Sequence, residues 1–130
     1  MGKEAAKGSE SMKALIVDDA MMVRFVLKKF LASIGFDEVF EAGTGKEALV
    51  LYKEHRPDIV TMDITMPEMD GLQSIEAIMA EDPQARIVVC SAIGQRDYVL
   101  KAMELGAKNY LIKPFQEEKV IETIKLVMGI

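Results

Sequence analysis

The sequence predicts a doubly wound α/β fold, in which five parallel strands form one sheet that five helices cover on both faces. Two observations support this prediction. Short apolar runs alternate five times with segments whose apolar residues recur at helical spacing. Polar or turn-forming residues follow each run, so each strand is expected to lead through a loop into a helix. Right-handed crossovers between successive strands then place helices on both sides of a parallel sheet.

The first half of the chain supplies two strand and helix units. The pair Asp18-Asp19 ends the first apolar run. Gly35 follows the last apolar position of the first helical segment, as a helix C-terminal glycine does. Pro57 stops the second helical segment, since proline cannot continue a helix. The predicted elements are strand 13–17, helix 23–34, strand 38–42 and helix 46–55.

The second half continues the same alternation. Pro67 and Gly71 close the loop after the third apolar run, and Asp82-Pro83 breaks the helix that follows. The fourth helix is expected to bury Val99, Ala102 and Met103 before it ends near Gly106. The predicted strands are 58–63, 87–90 and 109–112, and the apolar positions that mark the three helices run over 72–79, 99–103 and 120–127.

Composition limits the protein to one domain of ordinary size. The 130 residues are 50% hydrophobic and 28% charged, which is enough for a single core. The formal net charge is −5 and Lys28-Lys29 is the longest basic run, which argues against a nucleic-acid ligand. No apolar run approaches the roughly 18 residues that a membrane span needs. We therefore expect a cytoplasmic protein without a membrane association.

Several segments are interpreted without a functional role. Residues 1–11 are polar and rich in Ala, Gly and Ser, which indicates a disordered arm or an expression remnant before a domain at 12–130. Cys90 lies within an apolar run and is interpreted as a small buried hydrophobe. The stretch 43–46 lacks the flanking residues that a nucleotide phosphate loop requires. His55 closes a polar helix end, where a surface residue is expected rather than a general base.

Five polar residues fall at the carboxyl ends of predicted strands, where ligands of open parallel sheets bind. Two carboxylates about 4 Å apart repel by roughly 4 kcal/mol at an effective dielectric constant near 20, so three together need a cation. A few carboxylates with open water positions suit Mg²⁺, and the lack of nearby Cys or His argues against zinc. Taken singly, Asp18 and Asp19 could cap the helix that follows them, and Asp63 could cap a turn. The five residues are Asp18, Asp19, Asp63, Ser91 and Lys113.

These residue types together supply the chemical groups that phosphoryl transfer requires. Asp63 would attack in line as a carboxylate nucleophile and become an aspartyl phosphate. Mg²⁺ and Lys113 would neutralise oxygens of the transferring group, while Ser91 would donate a hydrogen bond to another.

The motifs resemble the receiver domain of two-component response regulators over residues 12–128. They are Asp18-Asp19 after the first strand, Asp63 followed by Met66-Pro67-Glu68-Met69-Asp70-Gly71, Ser91-Ala92, and Lys113-Pro114-Phe115. The organisation resembles the CheY-like stand-alone chemotaxis regulators, because the sequence ends after the fifth helix. The resemblance implies a flavodoxin-like sheet with the strand order 2-1-3-4-5.

The resemblance also implies a role for each site residue. Asp63 would be the phosphoacceptor. Asp19, Asp63 and the backbone carbonyl of Thr65 would bind Mg²⁺ directly, and Asp18 would bind it through water. Thr65 and Ile93 stand where the family tunes the lifetime of its phosphoryl group.

The implied switch pair is Ser91 and Tyr110, and the Lys113-Pro114 bond is implied to be cis. Phosphorylation would draw Ser91 towards Asp63 and let Tyr110 turn inward, which would reshape the face of helix 4, strand 5 and helix 5. Alternatively, Tyr110 is an edge aromatic with a hydrated hydroxyl.

The resemblance implies a signalling protein that assists its own phosphorylation and dephosphorylation, and not an enzyme. Its partners would be a CheA-like histidine kinase, a target such as the flagellar motor switch, and a possible phosphatase, and the protein is expected to be a monomer. One alternative is a phosphorelay intermediate that passes the phosphoryl group to a histidine phosphotransfer domain. A Mg²⁺-dependent phosphohydrolase is disfavoured because Thr65 stands where a general acid is usual. A flavodoxin-like protein that binds FMN is disfavoured because Asp18-Asp19 would repel the phosphate of the cofactor. A degenerate receiver used only for binding is disfavoured because none of the five site positions departs from the family pattern.

Overall fold

The structure is a computed structural model that describes residues 11–64, 66 and 70–130. Strands and helices alternate along the described chain, as the sequence predicts. In chain order they are β1 Met12–Val17, α1 Met21–Ile34, β2 Phe36–Ala42, α2 Gly45–His55, β3 Ile59–Asp63, α3 Gly71–Glu81, β4 Ile87–Ser91, α4 Arg96–Leu105, β5 Asn109–Ile112 and α5 Glu117–Met128. The strands pair in parallel in the order β2-β1-β3-β4-β5, which confirms the predicted fold class and strand order.

The sheet has a hydrophobic core on each face, because successive side chains of a strand point to opposite sides. On β1, Ala14 and Ile16 belong to the core under α1 and α5, whereas Leu15 and Val17 belong to the core under α2, α3 and α4. Both faces of the central strands are therefore covered, which explains why these strands are read in the sequence as continuous apolar runs.

Strand register brings the predicted site residues to one edge of the sheet. Val17 of β1 pairs with Met62 of β3, so the residue after Val17 lies beside Asp63. Asp63 pairs in turn with Cys90, and Ser91 pairs with Ile112. The carboxyl ends of β1, β3, β4 and β5 thus meet at neighbouring positions, although ninety-five residues separate the first from the last in the sequence.

Most single-residue expectations agree with the structure. Gly35 ends α1 in the left-handed region at φ 111°, and Cys90 is buried. His55 is only partly a surface residue, because its ring stacks on Phe40 with the ring centroids 3.9 Å apart. The expectation that Met103 is buried with the apolar face of α4 is wrong. Met103 is exposed, since the buried stripe of this short helix consists of Val99 and Ala102.

Over the described ranges, no helix combines the length and the apolar character that crossing a membrane requires.

Candidate metal centre

Three aspartates converge at the carboxyl edge of the sheet. Asp18 and Asp63 are buried, whereas Asp19 is exposed. One carboxylate oxygen from each lies within 4.8 Å of the others. The Lys113 ammonium reaches the same place, with Nζ at 2.9 Å from Asp18 Oδ2 and 3.4 Å from Asp63 Oδ1. The structure therefore brings together four of the five residues that the sequence places at strand ends.

Main-chain contacts fix Asp18 in the loop after β1. Its N–H donates to the Ala42 carbonyl at 3.0 Å, and its Oδ1 accepts from the Ala20 N–H at 2.9 Å. The N-cap residue of α1 is Ala20, and no side chain provides that cap. The alternative that the paired aspartates serve as a helix N-cap therefore fails, which leaves the second carboxylate without a capping role.

The backbone at the carboxyl end of β3 is held by close packing against α3. The N–H of Gly71 donates to the Ile64 carbonyl at 2.7 Å. A side-chain carbon at Gly71 would collide with the Asp63 carbonyl oxygen and would lie 2.6 Å from Ile64 Cα. Only glycine permits this approach of backbone to backbone. Asp70, not Asp63, caps α3, in a capping box with Gln73.

Burial and charge perturb the ionisation of the cluster. Burial and, after it, the neighbouring Asp18 carboxylate raise the pKa of Asp63 from 3.8 to about 6, against the opposing effect of Lys113. For Lys113 itself, burial acts to lower the pKa. Its hydrogen bond to Asp18 and the charges of Asp18 and Asp63 outweigh burial, so the pKa of Lys113 is above its ordinary value. Lys113 is therefore a fixed positive charge at neutral pH.

The donor set suits a hard divalent cation. All three candidate ligands are carboxylate oxygens, and one of the three residues is exposed, so water can complete the coordination. Mutual repulsion within the cluster, which contributes to the raised pKa of Asp63, would be relieved by a bound cation. The residues present thus fit Mg²⁺. Thr65, whose carbonyl was expected to complete the set, lies outside the described residues.

Ser91 and Tyr110 line one groove between β5 and α4, together with Ile93, and its volume is about 560 Å³. Ser91 is fully buried, and its hydroxyl has no hydrogen-bond partner among the residues that the structure describes. The Tyr110 side chain is 45% exposed and Ile93 is 82% exposed. The Lys113 N–H donates to the Ser91 carbonyl at 2.8 Å, so the two residues are in fixed register. The Lys113-Pro114 peptide bond is cis, as the resemblance implies.

Sequence reasoning missed one residue that contacts the acidic loop. Arg24 of α1 donates from Nη1 to the Asp18 carbonyl at 2.6 Å and from Nε to Glu41 Oε1 at 2.9 Å. An arginine one turn into the helix after an acidic loop, with a glutamate near the end of the adjacent strand, is the sequence signal that could have identified it.

The fold and this edge define a class of protein, a doubly wound α/β protein with an acidic cation site beside a lysine. Comparison with known proteins gives the family. The family model of the response regulator receiver domain matches residues 14–125, and the chain belongs to this family. It is similar to the chemotaxis protein CheY of Bacillus subtilis (strain 168), at 51% identity over 117 residues that cover 90% of this chain and 98% of that protein.

Other relatives agree. The chemotaxis protein CheY of Thermotoga maritima is 50% identical over 115 residues, which cover 88% of this chain and 96% of that protein. Among solved structures, the complex of CheX and CheY with BeF3 and Mg²⁺ from Borrelia burgdorferi contains a chain with a TM-score of 0.85 and 38% identity, covering 89% of this chain and 88% of that one. The protein is therefore a CheY-like receiver of a two-component system, a signalling protein and not a classical enzyme.

Proposed function

We propose that the protein is a chemotaxis response regulator whose Asp63 accepts a phosphoryl group from a histidine kinase of the CheA type. The observation that carries the proposal is the position of Asp63, buried at a strand end between two further carboxylates and the Lys113 ammonium. Relatives that cover nearly the whole domain at about half identity are chemotaxis proteins, which supports the pathway.

The proposed transfer exchanges one bond to phosphorus for another. A carboxylate oxygen of Asp63 attacks the phosphorus, the bond from phosphorus to the kinase imidazole nitrogen breaks, and the imidazole leaves with that electron pair. With a pKa of about 6, Asp63 is mostly ionised at neutral pH and can act as the nucleophile. Lys113 holds a transferring oxygen by charge, and the Ser91 hydroxyl, which has no partner among the described residues, donates to another.

We further propose that Asp18, Asp19, Asp63 and the Thr65 carbonyl hold Mg²⁺, with Asp18 acting through water. When bound, the ion supplies charge neutralisation between the acceptor carboxylate and the phosphoryl oxygens. The chain itself orients its carboxylates through the loop contacts of Asp18 and through the Gly71 approach. By orienting these carboxylates, the chain assists its own phosphorylation and dephosphorylation.

The output of the proposed switch is the face formed by α4, β5 and α5. Ser91 would move towards a phosphoryl group on Asp63, and Tyr110 would turn into the space behind it. Exposed apolar side chains on this face, among them Leu100, Ile112 and Leu126, are available to a target such as the flagellar motor switch.

Several finer assignments belong to the same proposal. The receiver domain occupies 12–130, after an arm at 1–11. Ile93 and Thr65 tune the lifetime of the phosphoryl group, a role that the high exposure of Ile93 beside the groove supports. The solved Borrelia complex of CheY with CheX supports a further protein partner for this chain, and a phosphatase is the proposed class.

Intact mass after incubation with acetyl phosphate tests the acceptor. We expect the wild-type protein to gain one phosphoryl group only when Mg²⁺ is present, as an adduct that is stable in acid and labile in base. Asp63→Asn should gain none. Asp37→Asn removes an equal charge from an exposed position of β2 and should be phosphorylated as the wild type is.

Phosphorylation of Asp63→Asn at the wild-type rate would place the acceptor elsewhere. If the wild type gained no phosphoryl group and bound no beryllofluoride, the proposed function would be wrong, and only the family assignment would stand.

A further inference from the structure

Arg24 connects three elements around the acidic loop. It lies in the second turn of α1, and its side chain is largely buried, with 18% exposed. Nη1 donates to the Asp18 carbonyl at 2.6 Å, while Nε donates to Glu41 Oε1 at 2.9 Å. One guanidinium thus ties α1 to both the end of β2 and the loop after β1. A short hydrogen bond from a charged donor is among the stronger contacts that a loop can have.

The carbonyl that Arg24 contacts belongs to the peptide unit joining Asp18 to Asp19. A peptide unit is planar, so fixing its oxygen also fixes the N–H of Asp19. On the preceding side, the Asp18 N–H donates to the Ala42 carbonyl. The backbone is therefore held on both sides of Asp18, and the directions in which the two neighbouring carboxylates leave the chain are set together.

The acidic cluster needs such a restraint. Its three carboxylates repel one another, because one oxygen of each lies within 4.8 Å of the others. Lys113 compensates Asp18 and Asp63 directly. Asp19 is exposed and belongs to the same cluster, and the peptide that leads into it is held by Arg24.

We propose that Arg24 is a positioning residue for the cation site, and that Glu41 sets the orientation of its guanidinium. The inference rests on the proposed function, since it assumes that the three aspartates bind Mg²⁺. Arg24 acts through the Asp18-Asp19 peptide. Partners of this kind, which orient metal ligands without binding the metal, typically change metal affinity by about 10- to 100-fold when they are removed.

Calorimetric titration of the metal-free protein with Mg²⁺ tests the proposal. We expect Arg24→Ala to weaken Mg²⁺ binding by about tenfold or more. Arg24→Lys should fall between it and the wild type, because an ammonium retains the charge but not the fork that reaches both acceptors. Lys28→Ala is the matched control. Lys28 lies one turn further along α1 and pairs with the same Glu41 at 3.8 Å, and its removal should leave the affinity unchanged.

A second measurement separates positioning from a general loss of structure. The Mg²⁺ concentration that gives half the maximal rate of phosphorylation by acetyl phosphate should be higher in Arg24→Ala than in the wild type. The maximal rate at saturating Mg²⁺ should be the same in both. A lower limiting rate with unchanged half-saturation would overturn the proposal, as would an equal loss of Mg²⁺ affinity in Lys28→Ala.

The proposed function can fail separately from this inference. If the wild type does not bind Mg²⁺, both the metal site and the role of Arg24 are wrong. If the wild type binds Mg²⁺ and Arg24→Ala binds it equally well, only the role of Arg24 is wrong.

Discussion

Replacing Asp63 by asparagine should stabilise the metal-free protein at neutral pH. Burial and the Asp18 carboxylate raise the pKa of Asp63 from 3.8 to about 6, so the folded state disfavours the ionised side chain that exists at pH 7. A shift of about two pKa units corresponds to roughly 3 kcal/mol. Asparagine keeps the shape without the charge, and we expect the free energy of unfolding to rise by about 2 to 3 kcal/mol at pH 8.

The pH dependence gives the sign of the effect. Because the folded pKa is above the unfolded value, the folded state binds more protons between pH 3.8 and about 6. The contribution of Asp63 to stability therefore falls as the pH rises through this window and is constant above it. Urea unfolding at pH 4 and pH 8 in the presence of a chelator measures it. The gain from Asp63→Asn should be present at pH 8 and nearly absent at pH 4.

Two comparisons make the test specific. Asp37→Asn removes one negative charge from an exposed position and should change stability little at either pH. Mg²⁺ should stabilise the wild type by mass action and Asp63→Asn much less, so saturating Mg²⁺ should shrink the difference between them. If Asp63→Asn is no more stable than Asp37→Asn at pH 8 without metal, the electrostatic description of the site is wrong.

Three further substitutions probe the scaffold around the site, each by urea unfolding. Thr61→Val should raise stability by about 1 kcal/mol, since the buried Thr61 hydroxyl has no partner among the described residues, and a loss would mean that it has one. Gly71→Ala should destabilise by about 2 kcal/mol or more, because the added carbon meets the backbone of Ile64, and an unchanged stability would contradict this close packing. Tyr52→Phe should cost about 1 kcal/mol through the lost 2.7 Å hydrogen bond to Asp82. That hydrogen bond lowers the pKa of Asp82, so the cost should diminish in acid as Asp82 is protonated, and a cost independent of pH would contradict this.

The sequence predicts the strands better than the helix starts, for a physical reason. Strand β5 has its predicted bounds of 109–112, because an apolar run between polar turns has abrupt ends. Helices α1 and α4 begin two and three residues before their predicted starts, at Met21 and Arg96. Helix periodicity is visible only from the first apolar contact with the sheet, and neither first turn has a side-chain cap.

The candidate site was predictable where it depends on topology alone. Parallel strands that run in register must bring their carboxyl ends together, so Asp18, Asp63 and Lys113 could be grouped before any distance was known. The contact of Arg24 with the Asp18 carbonyl could not be predicted in this way. It depends on a side-chain rotamer and on the crossing of α1 over the end of β2, and neither leaves a periodic pattern in the sequence.

The unphosphorylated site combines several features that are individually unfavourable. Asp63 ionises at a cost, and the Ser91 hydroxyl is buried without a partner among the described residues. A buried hydroxyl of this kind costs about 1 to 3 kcal/mol. Tyr110 exposes 45% of its surface and lines the same groove as Ser91. In the proposed mechanism a phosphoryl group on Asp63 gives Ser91 an acceptor, so part of this cost is recovered only in the phosphorylated state. A phosphoryl group shifts the equilibrium between the two conformations of the proposed switch only if it interacts more favourably with one of them. The hydrogen bond that the Ser91 hydroxyl would gain is one source of this difference in free energy.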